Sequence, residues 1–341
     1  MSVSILSAAY GGEQWSPRIA AMTEDMTSTW GDWGVSSEIG KLHAVLLRRP
    51  GSELEAVVDF DAMQMRSDLL PDRVREQHDA LADAYRAAGV MVHYVERGRI
   101  DKPNAMFVRD LMLMTPEGAI VTRPASTVRA GEERLIAEAL AQLGVPILMS
   151  VHGSATFEGA DVIWVDEKLC FLAEGLRTNE EVADQVERML REIGVAEVVR
   201  IGLPHGAMHL DGLLAIIDRD LAVIWPRRTP FKTVNILRKR GFRFIEVEDE
   251  QEAQHCLPMN FVALGPGEIL MPAGGSNMAD KYEAAGARCH VVDISECIKA
   301  GGGIHCMTGF LKRDAVCTTT SGEDHRMRVF AEQSGASRDG A

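Results

Sequence analysis

Four short stretches of this sequence carry side chains able to do chemistry. NAMFVRD ends on Asp110, FEGAD holds Glu158 and Asp161, HLD holds His209 and Asp211, and GGGIHC ends on Cys306. A cysteine attacks as its thiolate and needs a cation or a base nearby to ionise at neutral pH. His209 is the partner the sequence offers, and it can also shuttle protons or activate water. Carboxylates are poor neighbours for a thiolate unless they hold a positive substrate between them. A guanidinium suits that role, because its planar N–H groups pair with carboxylates in parallel. The set therefore predicts attack by Cys306 on the carbon of a guanidinium or amidinium, with the substrate's own charge helping to ionise the thiol. The glycines at 301–303 are expected to bring backbone amides close to the substrate and to permit loop motion. They do not form a phosphate loop, for no GxxxxGK[ST] pattern is present.

Neighbouring residues read as structural. Arg109 and His305 are expected to face away from Asp110 and Cys306 in an extended chain. Asp161 is balanced between a ligand contact and a turn bond. The other cysteines (Cys170, Cys256, Cys289, Cys297 and Cys317) lack the setting of Cys306 and read as core or surface.

Elements repeat around these stretches. Residues 104–151 read as strand, turn, strand, helix, strand, with RAGEERLIAEALAQLG at helical spacing and Gly144 as its stop. Similar units begin near Thr156, Met208 and Pro258, and a looser copy runs from KLHAVLLRRPG to VMVHYVE. A repeat of this size implies units that bury their faces on one another. Five mixed units can close into a ring, which would gather equivalent strand ends at one axis. Cys306 reads as the end of the fifth unit. Residues 1–35, with Trp15, Trp30 and Trp33 among Gly and Ser, read as an arm or lid. Residues 36–318 form one catalytic domain, and residues 319–341 read as a flexible polar tail.

Composition narrows the setting. The net charge of −14 excludes a basic nucleic-acid footprint. No apolar run approaches the roughly 18 residues of a membrane span, and the N-terminus makes a poor signal peptide. The scattered cysteines give no CxxC pair, so neither zinc nor a disulfide framework is expected, and a reduced cytoplasm is the expected compartment.

FVRD, FEGAD, HLD and GGGIHC, in this order and spacing over roughly residues 40–312, resemble the guanidine-modifying enzymes of the pentein, or α/β-propeller, superfamily. These include arginine deiminases, dimethylarginine dimethylaminohydrolases, agmatine deiminases and amidinotransferases. The resemblance implies a five-bladed fold, covalent catalysis through a thiouronium adduct with no metal or cofactor, a small cationic guanidino substrate, and a homodimer. By position it makes Cys306 the nucleophile, His209 the general acid and base, and Glu158 the acid that holds substrate or orients His209. Asp110 and Asp211 become the guanidinium clamp. Asn104 matches a residue that reaches the amino-acid end of the substrate, and Arg129 an arginine that meets a substrate carboxylate. GGGIHC is nearer the agmatine deiminase and amidinotransferase form, whereas FVRD is nearer the hydrolases. Plain glycine replaces the arginine-rich loop of arginine deiminases, which points away from L-arginine itself. The expected activity is hydrolysis of a guanidine C–N bond, with amidino transfer to an amine as the alternative. A manganese hydrolase would need further ligand clusters, and none is evident in the spacing. A non-catalytic ribosome-binding protein of this fold would lack the Cys–His–acid set.

Overall fold

A computed structural model describes residues 17–316. The tail at 319–341, Cys317 and residues 1–16 of the arm, with Trp15, lie outside the described residues.

Helix α1 (Met22–Thr29) precedes β1 (Leu42–Leu47), α2 (Pro71–Ala87) and β2 (Met91–Tyr94). A second unit follows as β3 (Met112–Thr115), β4 (Gly118–Val121), α3 (Glu133–Gln142) and β5 (Ile147–Ser150). The third is β6 (Val162–Asp166), β7 (Leu169–Glu174), α4 (Glu180–Glu192) and β8 (Glu197–Gly202), and the fourth β9 (Leu214–Asp218), β10 (Leu221–Ile224), α5 (Phe231–Lys239) and β11 (Arg243–Glu246). After α6 (Glu250–His255) comes the fifth, β12 (Val262–Gly265), β13 (Glu268–Pro272), α7 (Ser276–Ala284) and β14 (Arg288–Val292). The short helices α8 (Ser295–Ile298) and α9 (Ile304–Met307) lead into β15 (Gly309–Arg313).

Each unit makes one three-stranded sheet. Its first two strands form an antiparallel hairpin, and the third returns parallel to the second after the helix. Burial follows that order. β3 and β4 are buried along their whole length, whereas the last strand, β5, is exposed at both ends. The helices cover the sheets with one apolar stripe. In α4 that stripe is Val182, Ala183, Val186 and Leu190, with Glu180 and Glu181 in the first turn and Arg191 in the last, matching the helix dipole. The fold is a five-bladed α/β-propeller, as the repeat implies.

The first blade differs from expectation in one respect. Its inner strand is β15, which pairs antiparallel with β1 while β2 pairs parallel on the other side. Cys306 therefore does not end the fifth unit. It stands before the inner strand of the first, so the chain closes the ring on itself. The first copy read as loose because one of its strands lies more than two hundred residues away in sequence.

A second difference concerns FVRD. It reads as strand, but residues 103–106 and 108–111 form two 3-10 turns, and the strand starts at Met112. The same device recurs at Gly159–Asp161 and Leu210–Gly212. A tight turn before β3, β6 and β9 brings polar side chains to the inner end of the blade while the apolar alternation runs on into the sheet.

The described part of the arm packs away from this end. Gly34 bonds to Leu311 and Arg313, Val35 N–H donates to Thr115 O, and Asp32 pairs with Lys312. These partners lie at the far ends of β15 and β3, so residues 30–35 brace the ring there and do not cover the catalytic stretches. Among the described residues, no helix is long and apolar enough to cross a membrane.

Candidate active site

Every blade places a polar residue in one cleft, or directly behind it in the case of Glu158, from the approach to its inner strand. The first supplies Cys306, three residues before β15. The second supplies Asp110, two before β3, and the third Glu158, four before β6. The fourth supplies His209 and Asp211 before β9, and the fifth Asn260, two before β12. Asn260 had no role in the sequence reading. Its signal was the register: MN stands before FVALG as RD stands before LMLM.

Asn260 fixes Cys306. Its Nδ2 donates to Cys306 Sγ at 3.1 Å, its Oδ1 accepts the Cys306 N–H at 3.2 Å, and its carbonyl accepts the His305 N–H at 3.3 Å. The triple glycine is explained by packing at two of its positions. A Cβ on Gly303 would lie 2.6 Å from Asn260 Oδ1, and one on Gly302 would lie 2.5 Å from the Phe107 ring. Gly301 needs its freedom for φ +112.

His209 is not hydrogen-bonded to Cys306. Its Nε2 pairs with Glu158 Oε2 at 2.7 Å, and its Nδ1 lies 3.9 Å from Asp110 Oδ1. Burial opposes a charge on His209, but the carboxylates of Asp110, Glu158 and Asp161 raise it to about 10. Burial likewise opposes the charge on Glu158, and the His209 bond with the nearby Arg129 and Arg177 guanidiniums brings it down to about 2. The two form an ionised pair. Burial, reinforced by the carboxylates of Asp211 and Asp110, pushes the Cys306 thiol well above its ordinary value. The resting site thus pairs a neutral thiol with a charged imidazole.

The other carboxylates divide. Asp110 Oδ2 accepts from Arg129 Nη1 at 2.6 Å, while Asp110 Oδ1 is buried and accepts nothing from the described residues. Such an orphan oxygen is costly unless a donor meets it. Asp211 Oδ2 is held by His305 Nδ1 at 2.8 Å, and His305 Nε2 lies 3.4 Å from Glu38 on the ring axis, where Arg109 also reaches Glu38. His305 is therefore not turned away from the site as an extended chain would have it. It sits in the single turn of α9 and orients Asp211. Burial works against a charge on Asp211, yet the His305 bond keeps it below the ordinary carboxylate range.

Three expectations change. Asp161 does not reach the cleft: it is fully buried, accepts from Leu210 N–H at 3.1 Å and Thr178 Oγ1 at 2.5 Å, and ties the third blade to the fourth. Burial pushes its pKa up to about 7. Arg129 lines the cleft, but its guanidinium is committed to Asp110, Glu132 and the carbonyl of Phe107, so it braces Asp110 and is poorly placed to meet a substrate carboxylate. Asn104 borders the cleft and donates to Met63 O at 2.8 Å, pinning the loop above it. The cationic residue missed is Arg177, at the rim, with one N–H on Glu158 Oε1 at 3.2 Å. Its neighbours set that position: Thr178 holds Asp161, and Asn179 Oδ1 caps α4 at Val182 while accepting the Thr156 N–H.

Asp110, Glu158 and His209 offer ligand atoms within 4.8 Å of one another, a possible metal set among the described residues. Spacing along the chain hides it, because three blades contribute. Charge opposes such use. Arg129 Nη1 stands 2.6 Å from Asp110 and 3.8 Å from Glu158, and Arg177 bonds the other Glu158 oxygen, so two guanidiniums already serve these carboxylates.

Comparison with known proteins agrees with this geometry. The family described as N,N dimethylarginine dimethylhydrolase, eukaryotic, matches residues 58–312. The N(G),N(G)-dimethylarginine dimethylaminohydrolase of Pseudomonas aeruginosa is 28% identical over 235 residues, 68% of this chain and 86% of that protein. A crystal structure of a dimethylarginine dimethylaminohydrolase adduct with 4-chloro-2-hydroxymethylpyridine superposes with a TM-score of 0.66 at 25% identity, covering 80% of this chain and all of that one. The amidinotransferase SxtG of Microseira wollei shares the fold, with a TM-score of 0.68 at 14% identity, over 83% of this chain and 98% of that one.

Proposed function

As the chain belongs to the N,N-dimethylarginine dimethylhydrolase family, we propose that it hydrolyses a guanidine C–N bond of an N-substituted arginine through a covalent adduct on Cys306. The observation that carries this reading is the ring of residues itself. A thiol, an ionised His–Glu pair and two carboxylates converge from different blades, and the buried Asp110 Oδ1 lacks a donor.

A guanidinium set between Asp110 and Asp211 satisfies that oxygen and neutralises the two carboxylates that suppress ionisation of Cys306. Cys306 then gives its proton to solvent water, and Sγ bonds to the guanidinium carbon as the C=N π pair moves onto nitrogen. The substituted nitrogen takes the proton of His209, the C–N bond breaks, and the amine leaves. His209, now neutral, accepts a proton from water as its oxygen attacks the same carbon. The new hydroxyl of the tetrahedral adduct gives its proton to sulfur as the C–S bond breaks, so Cys306 returns as a thiol and a ureido product leaves. Glu158 stabilises the charged imidazole at both stages. Arg177, with most of its N–H groups uncommitted at the rim, is suited to a substrate carboxylate.

The test is incubation with NG,NG-dimethyl-L-arginine. Citrulline and dimethylamine are expected in equal amounts, and Cys306→Ala should lose roughly 10⁴-fold or more in rate. Product formation at undiminished rate by Cys306→Ala would remove the reading. An amidinotransferase shares the first half-reaction, and the breadth of the cleft beside Leu213 and Trp225 gives an acceptor amine room. That reading requires the product to carry the acceptor, with no citrulline formed from the donor.

A further inference from the structure

The cleft has two arms that meet at Met208, His209, Gly301, Gly302 and Cys306. One, of about 40 Å³, runs under Asn104, Asp110, Arg129 and Arg177 and is lined by charge. The other, of about 250 Å³, runs toward the fourth and fifth blades between Leu213, Trp225, Leu257 and Met259. Those four side chains make an apolar stretch of this arm, while Arg66, Arg228 and Gln254 also line it. Arg228 lies across its mouth with its guanidinium 4.3 Å from the Trp225 ring.

The backbone around these arms is unusual. Among the described residues, three that are not glycine adopt a left-handed φ: Gln64 at 61°, Arg227 at 70° and Leu257 at 47°. Gln64 lines the first arm, Leu257 lines the second, and Arg227 adjoins Arg228 at its mouth. Such conformations cost free energy and persist where the surroundings hold a loop in a required shape. Strain gathered at the rim of one cleft marks walls shaped for an occupant.

Resting on the hydrolytic reading above, we propose that the second arm is a subsite for a substituent larger than methyl on the leaving nitrogen of the guanidine. The substrate is then an arginine-like compound whose released amine carries an apolar or aromatic group of three or more carbons. The charged arm takes the end that bears the carboxylate, next to Arg177. The guanidinium lies at the junction beside Cys306, and the leaving substituent extends past Met208 against Leu213 and Trp225. One or two methyl groups would leave most of this arm unfilled.

The experiment compares the full chain on NG-methyl-, NG-propyl-, NG-butyl- and NG-benzyl-L-arginine, with citrulline and the released amine measured by mass spectrometry. The expected result is a kcat/KM at least about tenfold higher for butyl or benzyl than for methyl. Leu213→Trp, which narrows the arm, should lower kcat/KM for butyl more than for methyl. Circular dichroism confirms that this variant folds. Equal or lower kcat/KM for the larger substituents overturns the proposal while leaving guanidine hydrolysis standing. So does turnover of the larger compounds only when an acceptor amine is added. If no compound of the series is consumed or forms an adduct on Cys306, the hydrolytic reading falls and takes this proposal with it.

Discussion

Cys306 and His209 differ from a preformed thiolate–imidazolium couple in one member: the imidazole is charged, but the thiol keeps its proton. Burial and two carboxylates keep the thiol protonated, while three carboxylates outweigh burial to keep the imidazole charged. Under the proposed mechanism the thiol therefore stays protonated until a cation arrives. A small alkylator bearing an amidinium should inactivate the enzyme at neutral pH much faster than a neutral amide of the same size, by at least about tenfold. Equal rates would mean the thiolate exists before substrate. Protons on His209 follow a clear sign. Its folded value of about 10 lies above the ordinary 6.5, so the stability it contributes is complete below about pH 6.5 and is lost as pH rises through about 10. Titration of the free protein by NMR should show one imidazole holding its proton far above pH 7, and His209→Asn should flatten the alkaline limb of the stability curve. That Cys306 and His209 belong together was legible in the sequence from residue types and order, and both line one cleft. The state of their protons was not, because it depends on carboxylates from other blades.

At the level of elements, the approach to each inner strand matters more than the strand. The 3-10 turns at 108–111, 159–161 and 210–212 turn polar side chains inward, and α9 does the same for Cys306. Gly302 and Gly303 let that helix press on Phe107 and Asn260. Gly303→Ala should cost roughly 1–3 kcal/mol by overpacking, and it should lower kcat more than KM rises, since it displaces the Asn260 bonds to Cys306. Denaturant melts and steady-state kinetics check this. Hairpins, helices and their repeat were readable from apolar periodicity and from stops such as Gly144. The turns were not, because FVRDLMLM continues the apolar alternation without a break. Asp161 stayed balanced between two roles for a related reason. It is as polar as Asp110, but only the fold shows that Leu210 N–H and Thr178 claim its carboxylate. Asn260 was missed because an amide gives no titratable signal, although its register matches Asp110.

The whole molecule is a ring closed by its last described strand. β15 joins the first blade and follows Cys306 directly, so ring closure and the placement of Cys306 depend on the same short segment. Leu311, fully buried in β15, should cost roughly 2–5 kcal/mol on change to Ala, and the loss of structure should be global, because opening the ring exposes inner strands of several blades. Five units could be counted in the sequence, but the swap of the first inner strand to the far end of the chain could not, since pairing over that distance leaves no local mark. The same closure assembles the three-blade set of Asp110, Glu158 and His209. Because Arg129 and Arg177 already balance those carboxylates, prolonged chelation should leave activity unchanged. The most direct test of the account is intact-protein mass spectrometry of His209→Asn with S-methyl-L-thiocitrulline, whose methanethiolate leaves without a proton from His209, followed by peptide mapping. A stalled adduct on the peptide containing Cys306, absent from Cys306→Ala, is the predicted result. Citrulline formed by Cys306→Ala at the unaltered rate, or an activity that a chelator abolishes, would contradict it.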